Sequence, residues 1–331
     1  MNKVLIFSHE SDIDGLGCVI LAKLAFKEID YILAPNIEKM EEKFRQCILS
    51  KKLDDYSKIF VTDVALYDPA LTMVAESELK DKVLIFDHHK MAIENKMNRY
   101  SFTRIIDKDI KGKRCGTDLF YEYLINNNYL KPTKALDQFV ELTRLEDTWE
   151  WGKAGTTGQT AHDLAILFNS ITIEEYIEKM LKIILNNNIF TLNDNDKLII
   201  KNKKEEYEKN IQRILNNIEY FIDNEGNKFG IVYANYEYRN EISDYIVKTG
   251  NPEEIKYLII VALDKGEYGQ KSYRSIAKLF DVNKVAMKHG GGGHIGAAYV
   301  SITKEQKEHA LVLTKKHGLE YLANSNYPTN K

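Results

Sequence analysis

Lys82-Val-Leu-Ile-Phe86-Asp87-His88-His89 decides how the rest of the chain reads. Val83–Phe86 is an unbroken apolar run, the pattern of a strand buried on both faces of a parallel sheet. In such sheets ligands gather at the carboxyl ends of the strands. An acid and two imidazoles at that end make poor core material and good cation ligands.

Working outward, strand-like and helix-like runs alternate. Val4–Phe7, Tyr31–Ala34, Ile59–Thr62 and Val83–Phe86 read as strands, with a further strand near Ser101–Ile106. Gly15–Ile29, Glu38–Lys52, Pro69–Lys80, Thr117–Ile125 and Lys134–Glu146 read as helices. Strict alternation implies an α/β fold with a mostly parallel, doubly wound amino-terminal sheet. From Ile173 to about Ile218 the pattern is helical, interrupted by the polar stretch Asn186–Asp196. From about Tyr220 the texture changes: Phe229–Ala234, Tyr257–Leu263 and Gln270–Ser275 read as strands, with a further strand-like run at Ala297–Ile302. Glu241–Lys248, Asn283–Lys288 and Lys304–His317 read as helices. The expected organisation is a catalytic domain over 1–185, a helical connector over 186–218 and a smaller mixed α/β domain over 219–331. The polar tail Asn324–Lys331 is expected to fray.

The bulk numbers narrow the class. The 331 residues carry a net charge of −3, with 44% hydrophobic and 29% charged residues, which suits a soluble globular protein. No domain-wide basic surplus exists to neutralise a long duplex, whereas a short anionic substrate is allowed. Cys18, Cys47 and Cys115 are far apart and odd in number, with neither zinc spacing nor a disulfide framework, so a reducing cytoplasm is expected. The apolar start is too short for a signal peptide, and Tyr257–Leu263 is too short to span a bilayer, so no membrane association is expected.

The chemistry lies where strands end. The first strand runs into Ser8-His9-Glu10-Ser11-Asp12-Ile13-Asp14-Gly15, the third into Thr62-Asp63 and the fourth into Asp87-His88-His89. A separate segment, Leu142–Trp151, supplies Asp147, one more acid among apolar residues. Adjacent strands lie about 4.8 Å apart, close enough for their ends to share cations. Imidazoles and carboxylates without thiolates suit Mn²⁺ or a similar ion better than structural zinc. Some seven such groups are too many for one ion and fit two. A pair about 3.5–4 Å apart suits phosphate-ester hydrolysis, with Asp63, centrally placed, as the natural bridge. Each residue alone has an ordinary alternative: His9 as a structural histidine, Asp12 or Asp14 as a helix N-cap, Asp63 as a turn residue, Asp147 as a helix-end acid. Several strand ends each presenting Asp or His outweigh those alternatives together.

Near the other end stands His289-Gly290-Gly291-Gly292-Gly293-His294. A flexible loop is its ordinary explanation. Between a short helix and a strand, the glycines instead suggest successive backbone N–H groups arranged as an anion nest, with His294 donating to a phosphate oxygen. Arg274, in Gln270-Lys-Ser-Tyr-Arg-Ser275, sits at a strand end where its planar fork suits phosphate.

Taken in order, His9-x-x-Asp12-x-Asp14-Gly15, Thr62-Asp63, Asp87-His88-His89, Asp147, Ser272-Tyr-Arg274-Ser275 and Gly290–His294 resemble the DHH–DHHA1 phosphoesterase family over nearly the whole chain. Lys131–Trp151 is similar to the bacterial nano-RNase B type of oligoribonuclease within it. The resemblance implies that His9, Asp12 and Asp63 hold one Mn²⁺, and that Asp14, Asp63, His88 and Asp147 hold a second, with Mg²⁺ or Co²⁺ as alternatives. It implies that His89 acts on the substrate phosphate and leaving group as a catalytic residue beside Asp63, and that Asp87 orients an imidazole from the second shell. Arg274, Gly290, Gly291, Gly292, Gly293 and His294, in a DHHA1-like domain, would bind substrate. Tyr299 departs from the pattern, standing where many relatives have glycine. The expected activity is hydrolysis of very short single-stranded RNA to mononucleotides. Alternatives are adenosine 3′,5′-bisphosphate phosphatase, cyclic or linear dinucleotide phosphodiesterase, and a non-catalytic nucleotide sensor. A homodimer is compatible with the resemblance.

Overall fold

The computed structural model describes residues 3–251, 253–265, 268–277 and 280–316, the last four of these by backbone alone. The expected frayed tail and the final residue of the Lys304–His317 helix lie outside the described residues. The chain divides into two compact units, Met1–Lys201 and Asn202–Lys331.

The first unit begins β1 (Val4–His9), α1 (Ile13–Ala25), β2 (Ile29–Ala34), α2 (Ile37–Leu49), β3 (Lys58–Thr62), α3 (Asp68–Ala75), β4 (Val83–Asp87), α4 (Lys90–Glu94) and β5 (Thr103–Ile105). A two-residue hairpin, β6 (Lys108–Asp109) and β7 (Gly112–Lys113), leads into α5 (Gly116–Asn126), α6 (Lys134–Asp147), α7 (Gly155–Phe168) and α8 (Ile173–Asn186). The five strands pair in the order β2-β1-β3-β4-β5, all parallel. This is the doubly wound α/β sheet expected from the alternation.

Strand alternation sends side chains to both faces. Leu5, Phe7, Ile59, Val61, Val83 and Ile85 enter one core with Met40 and Phe44 of α2. Phe60 and Phe86 point the other way and pack on Phe120 and Tyr123 of α5 at 5.0 to 5.8 Å between ring centroids. The strand order reverses direction at β1. Ligand crevices form outside the carboxyl ends at such a switch point, and here those ends are His9 and the residue after Thr62.

Three expected helices are shorter than their apolar spacing suggested; the one expected over Glu38–Lys52 is α2, which stops at Leu49. The helix expected over Gly15–Ile29 is α1, starting at Ile13 and ending at Ala25, and Ile29 opens β2 instead. The helix expected over Pro69–Lys80 stops at Ala75 and resumes as a 3₁₀ turn at Glu78–Asp81, capped by Ser77. α7 was not expected: its start, Gly155-Thr-Thr-Gly158, has loop composition and no side-chain cap.

α9 (Asp194–Leu215) contains the division between the units. The second unit continues with β8 (Glu219–Ile222), β9 (Lys228–Tyr233), α10 (Arg239–Thr249), β10 (Tyr257–Ala262), β11 (Gln270–Ser275), α11 (Val282–Met287), β12 (Gly292–Gly293), β13 (Ala297–Ser301) and α12 (Lys304–Lys316). Its sheet is mixed, ordered β12-β13-β11-β10-β9-β8, with β9 and β10 parallel and the other pairs antiparallel. β10 is buried at every position, as its apolar run requires. Among the described residues no helix is long and apolar enough to cross a membrane.

Candidate metal centre

The turn after β1 builds the first part of the site. Ser8 Oγ donates to the Gly15 carbonyl at 2.7 Å and lies 2.8 Å from Thr62 Oγ1, tying the end of β1 to α1 and to β3. Gly15 is required there, because a Cβ would stand 2.1 Å from the His9 carbonyl oxygen. Asp12 is the N-cap of α1: its Oδ1 accepts from the amides of Asp14 and Gly15, each at 3.1 Å. Its Oδ2 turns the other way and lies 3.0 Å from His9 Nδ1. The capping role and the site role thus fall on different oxygens of one carboxylate.

Asp63 follows β3 with φ of 56°, in the left-handed region that non-glycine residues seldom occupy. That conformation turns its buried carboxylate toward two histidines. Oδ2 lies 3.5 Å from His9 Nδ1, and Oδ1 lies 3.3 Å from His88 Nε2. His88 Nε2 is also 3.4 Å from Asp147 Oδ2 and 3.6 Å from Asp14 Oδ2. Two three-residue groups result, His9–Asp12–Asp63 and Asp14–His88–Asp147, each with its donor atoms within 4.8 Å of one another. Asp63, Asp87, His88 and His89 form an overlapping group.

Asp87 has a supporting position. Its Oδ1 accepts from the His88 amide at 2.9 Å and lies 2.7 Å from His89 Nδ1, which fixes the His89 ring with Nε2 facing away from Asp87. His89 is about one-third exposed, unlike the buried His88. Asp14 is fully buried, and its two oxygens accept from the amides of Gly116 and Thr117 at 2.6 and 2.7 Å, at the start of α5. These two donors had no signal in the sequence, being a hundred residues away. A Cβ on Gly116 would stand 2.8 Å from the Asp63 Cβ, so this glycine lets α5 approach the site.

The electrostatics call for positive charge. His9 Nε2 lies 3.0 Å from the Pro35 carbonyl, which can only accept, so Nε2 carries a proton. Its other nitrogen, Nδ1, faces Asp12 and Asp63. Both Asp63 oxygens, His9 Nδ1 and Asp147 Oδ2 are buried without a hydrogen-bond partner. Burial opposes charge on the histidines, but the surrounding carboxylates outweigh it and hold His9 and His88 well above the usual imidazole range. Burial, joined by neighbouring acids, raises Asp14 well above the ordinary carboxylate range and pushes Asp147 up to about 7. Acceptors converging in this way bind protons when no other cation is present and bind a metal when one is. Hard oxygens and imidazole nitrogens, with no cysteine in any of the groups, suit a divalent ion such as Mn²⁺.

In the second unit the glycine run is not an anion nest. The Gly290 amide donates to the Met287 carbonyl at 3.2 Å and the Gly291 amide to Ala286 at 3.0 Å, closing α11 with Gly290 in the left-handed region. Gly292 and Gly293 form β12, opposite Tyr299 and Ala298 of β13. The His294 amide donates to the Ala297 carbonyl at 2.7 Å. A Cβ on Gly291 would stand 1.9 Å from the Tyr299 carbonyl oxygen, so close strand approach explains a glycine here. Arg274 is buried on β11 and bonds to Asn240 and to the Tyr273 carbonyl.

Comparison with known proteins agrees with the geometry. Residues 3–143 match the family model described as the DHH family, N-terminal domain. The oligoribonuclease NrnB of Bacillus subtilis (strain 168) is 32% identical over 307 residues, covering 92% of this chain and 74% of the relative. A solved DHH domain, described as coming from a member of a family of ribosomal proteins, aligns over 96% of this chain and 87% of its own, with a TM-score of 0.61 and 15% identity, a likeness of fold.

Proposed function

The chain belongs to the DHH family, and on that premise we propose that it is a metal-dependent phosphodiesterase that hydrolyses short RNA oligonucleotides to mononucleotides in the cytoplasm. The observation that carries this reading is Asp63, a buried carboxylate with both oxygens lacking hydrogen bonds and each facing a different imidazole. His9, Asp12 and Asp63 would hold one ion, and Asp14, Asp63, His88 and Asp147 a second, most simply Mn²⁺. Bound there, two divalent ions supply a water of lowered pKa and a positive clamp on the phosphate oxygens.

The protein's own groups do the rest. The α5 amides fix Asp14, the α1 amides fix Asp12, and the left-handed turn fixes Asp63, so the donor atoms are arranged before substrate arrives. Asp87 holds His89 Nδ1, leaving Nε2 to donate to a phosphate or departing sugar oxygen. Arg274, His294 and the Gly290–Gly293 segment would contact substrate. The relative's printed name, an oligoribonuclease, favours short RNA over the other phosphate esters.

Replacing Asp63 by Ala tests the reading. The wild type with Mn²⁺ should cleave an RNA dinucleotide faster than adenosine 3′,5′-bisphosphate or a cyclic dinucleotide. The variant should lose cleavage by about 10³-fold or more and lose metal at both positions by elemental analysis. Near-normal turnover in Asp63→Ala, or faster turnover of the bisphosphate by the wild type, would refute it.

A further inference from the structure

The turn after the proposed metal ligand Asp147 carries a tryptophan where a helix ending of its kind calls for glycine. α6 closes in a Schellman motif: the Trp149 amide donates to the Glu146 carbonyl at 3.1 Å, and the Glu150 amide donates to the Leu145 carbonyl at 2.9 Å. The residue after the cap of such a motif takes positive φ, and Trp149 takes it at 60°. Glycine does so without strain, whereas a Cβ there crowds the following carbonyl oxygen. For ending a helix alone, tryptophan is a poor choice.

Much of the ring also stays in the open. Trp149 is 39% exposed, and among the described residues no aromatic ring or cation stacks on it. Trp151, two residues on, shows the ordinary use of the same side chain: it is 8% exposed and lies nearly parallel to the His162 ring at 4.1 Å between centroids. The backbone on either side of Trp149 is tied down. Lys113 Nζ donates to the Thr148 carbonyl at 2.8 Å, Thr148 Oγ1 donates to the Arg144 carbonyl at 2.7 Å, and Arg144 Nη1 donates to Glu150 Oε2 at 2.5 Å. Little backbone freedom is therefore left to lose when the indole takes a ligand. Two residues of chain span at most about 7 Å. Trp149 thus stands at the edge of the site in which Asp147 Oδ2 lies 3.4 Å from His88 Nε2. A strained, anchored and exposed aromatic at that edge offers a flat apolar face to whatever the site holds.

We propose that the Trp149 indole is the platform on which one base of the substrate stacks, beside the phosphodiester at the Asp147 end of the proposed metal centre. The platform rests on the proposed activity for its substrate class, but stacking itself needs no metal. Every base has a π-face, and stacking involves no hydrogen-bond readout. Trp149 therefore demands a base next to the cleaved bond without reading which base it is. It sets a nucleotide diester apart from a sugar-phosphate diester of the same charge.

The test is calorimetric titration of the full chain in EDTA with the RNA dinucleotide ApA and with its two singly abasic forms, which keep the phosphodiester and lose one base. The wild type should bind ApA at least about fivefold more tightly than one of the abasic forms, and ApA should quench its tryptophan fluorescence. Trp149→Leu keeps an apolar side chain in place but has no ring face. It should lose both the preference and the quench, and bind that abasic form as the wild type does. Trp149→Tyr should keep the preference. Equal binding of ApA and both abasic forms by the wild type, an intact preference in Trp149→Leu, or an equal loss of all three ligands in that variant would each overturn the proposal. Because binding is read without metal, failure of RNA hydrolysis and failure of this platform are separate results.

Discussion

Two arginines are buried in this molecule under opposite conditions. Arg114, in the first unit, is 2% exposed and ringed by acids: Asp118 takes Nε and Nη2, Asp109 takes Nη1, and Glu122 takes Nη2 at 2.7 Å. Arg274, in the second unit, is nearly as buried and meets only neutral oxygens. Asp63 is the negative counterpart of Arg274, a buried carboxylate whose oxygens make no hydrogen bond and face two imidazoles at 3.3 and 3.5 Å. Where the chain buries charge for its own architecture, it supplies the opposite charge from its own side chains. Where it does not, as at Asp63, the proposed metal would supply the opposite charge. The segment Arg114-Cys115-Gly116-Thr117-Asp118 joins both conditions, since its ends belong to the closed cluster while the Gly116 and Thr117 amides hold Asp14.

The largest test of that contrast is Arg114→Leu. It leaves three acids facing one another around a buried apolar group, and urea unfolding should show a loss of about 3–5 kcal/mol. A loss below about 1 kcal/mol, equal to that of Arg274→Met, would erase the difference between the arginines. Next is Gly116→Ala, which pushes a methyl against Asp63 without touching the Arg114 pairs. It should cost about 1–3 kcal/mol and lower metal affinity in calorimetry. Full metal affinity with unchanged stability would show that α5 is not what holds Asp63 in place.

The smallest effect is a pH dependence. Burial resists charge on Glu122, but Arg114, Arg104 and Lys111 outweigh it and pull its pKa down to about 2. An unfolded glutamate titrates near about 4.3. Its contribution is therefore full above that value and is lost as pH falls through the folded value. Wild type should exceed Glu122→Gln in stability by on the order of 1 kcal/mol or less at pH 6, with the gap closing toward pH 2. A gap that stays constant with pH would mean that the closed cluster owes nothing to the Glu122 charge.

The sheet and the acids at its edge were legible in the sequence for one reason. An apolar run that stops abruptly at Asp or His has few meanings other than a buried strand delivering ligands, as at Phe86–Asp87 and Thr62–Asp63. What escaped was set by partners distant in the chain. The amides on Asp14 come from Gly116 and Thr117, and nothing local to either marks the pairing. α7 opens on glycines and threonines and owes its helix to packing, with Leu164 and Leu167 fully buried. β8 is four residues at a sheet edge, exposed throughout, so it lacks the alternation that reveals a half-buried strand. The glycine run misled because glycine's freedom fits a nest and a close strand contact alike, and only the position of Tyr299 decides between them.

The clustered acids also carry a consequence for the chain as it is made. His9, Asp12, Asp14 and Asp63 all leave the ribosome before Asp147, which follows Asp63 by 84 residues, and so do their fixing amides at Gly116 and Thr117. At about 5–20 residues per second, the nascent domain passes roughly 4–17 s between the two aspartates. Through that interval the group Asp14–His88–Asp147 lacks its last carboxylate, while His9, Asp12 and Asp63 are all in place in the chain. The group His9–Asp12–Asp63 is therefore complete in the chain before Asp14–His88–Asp147 is.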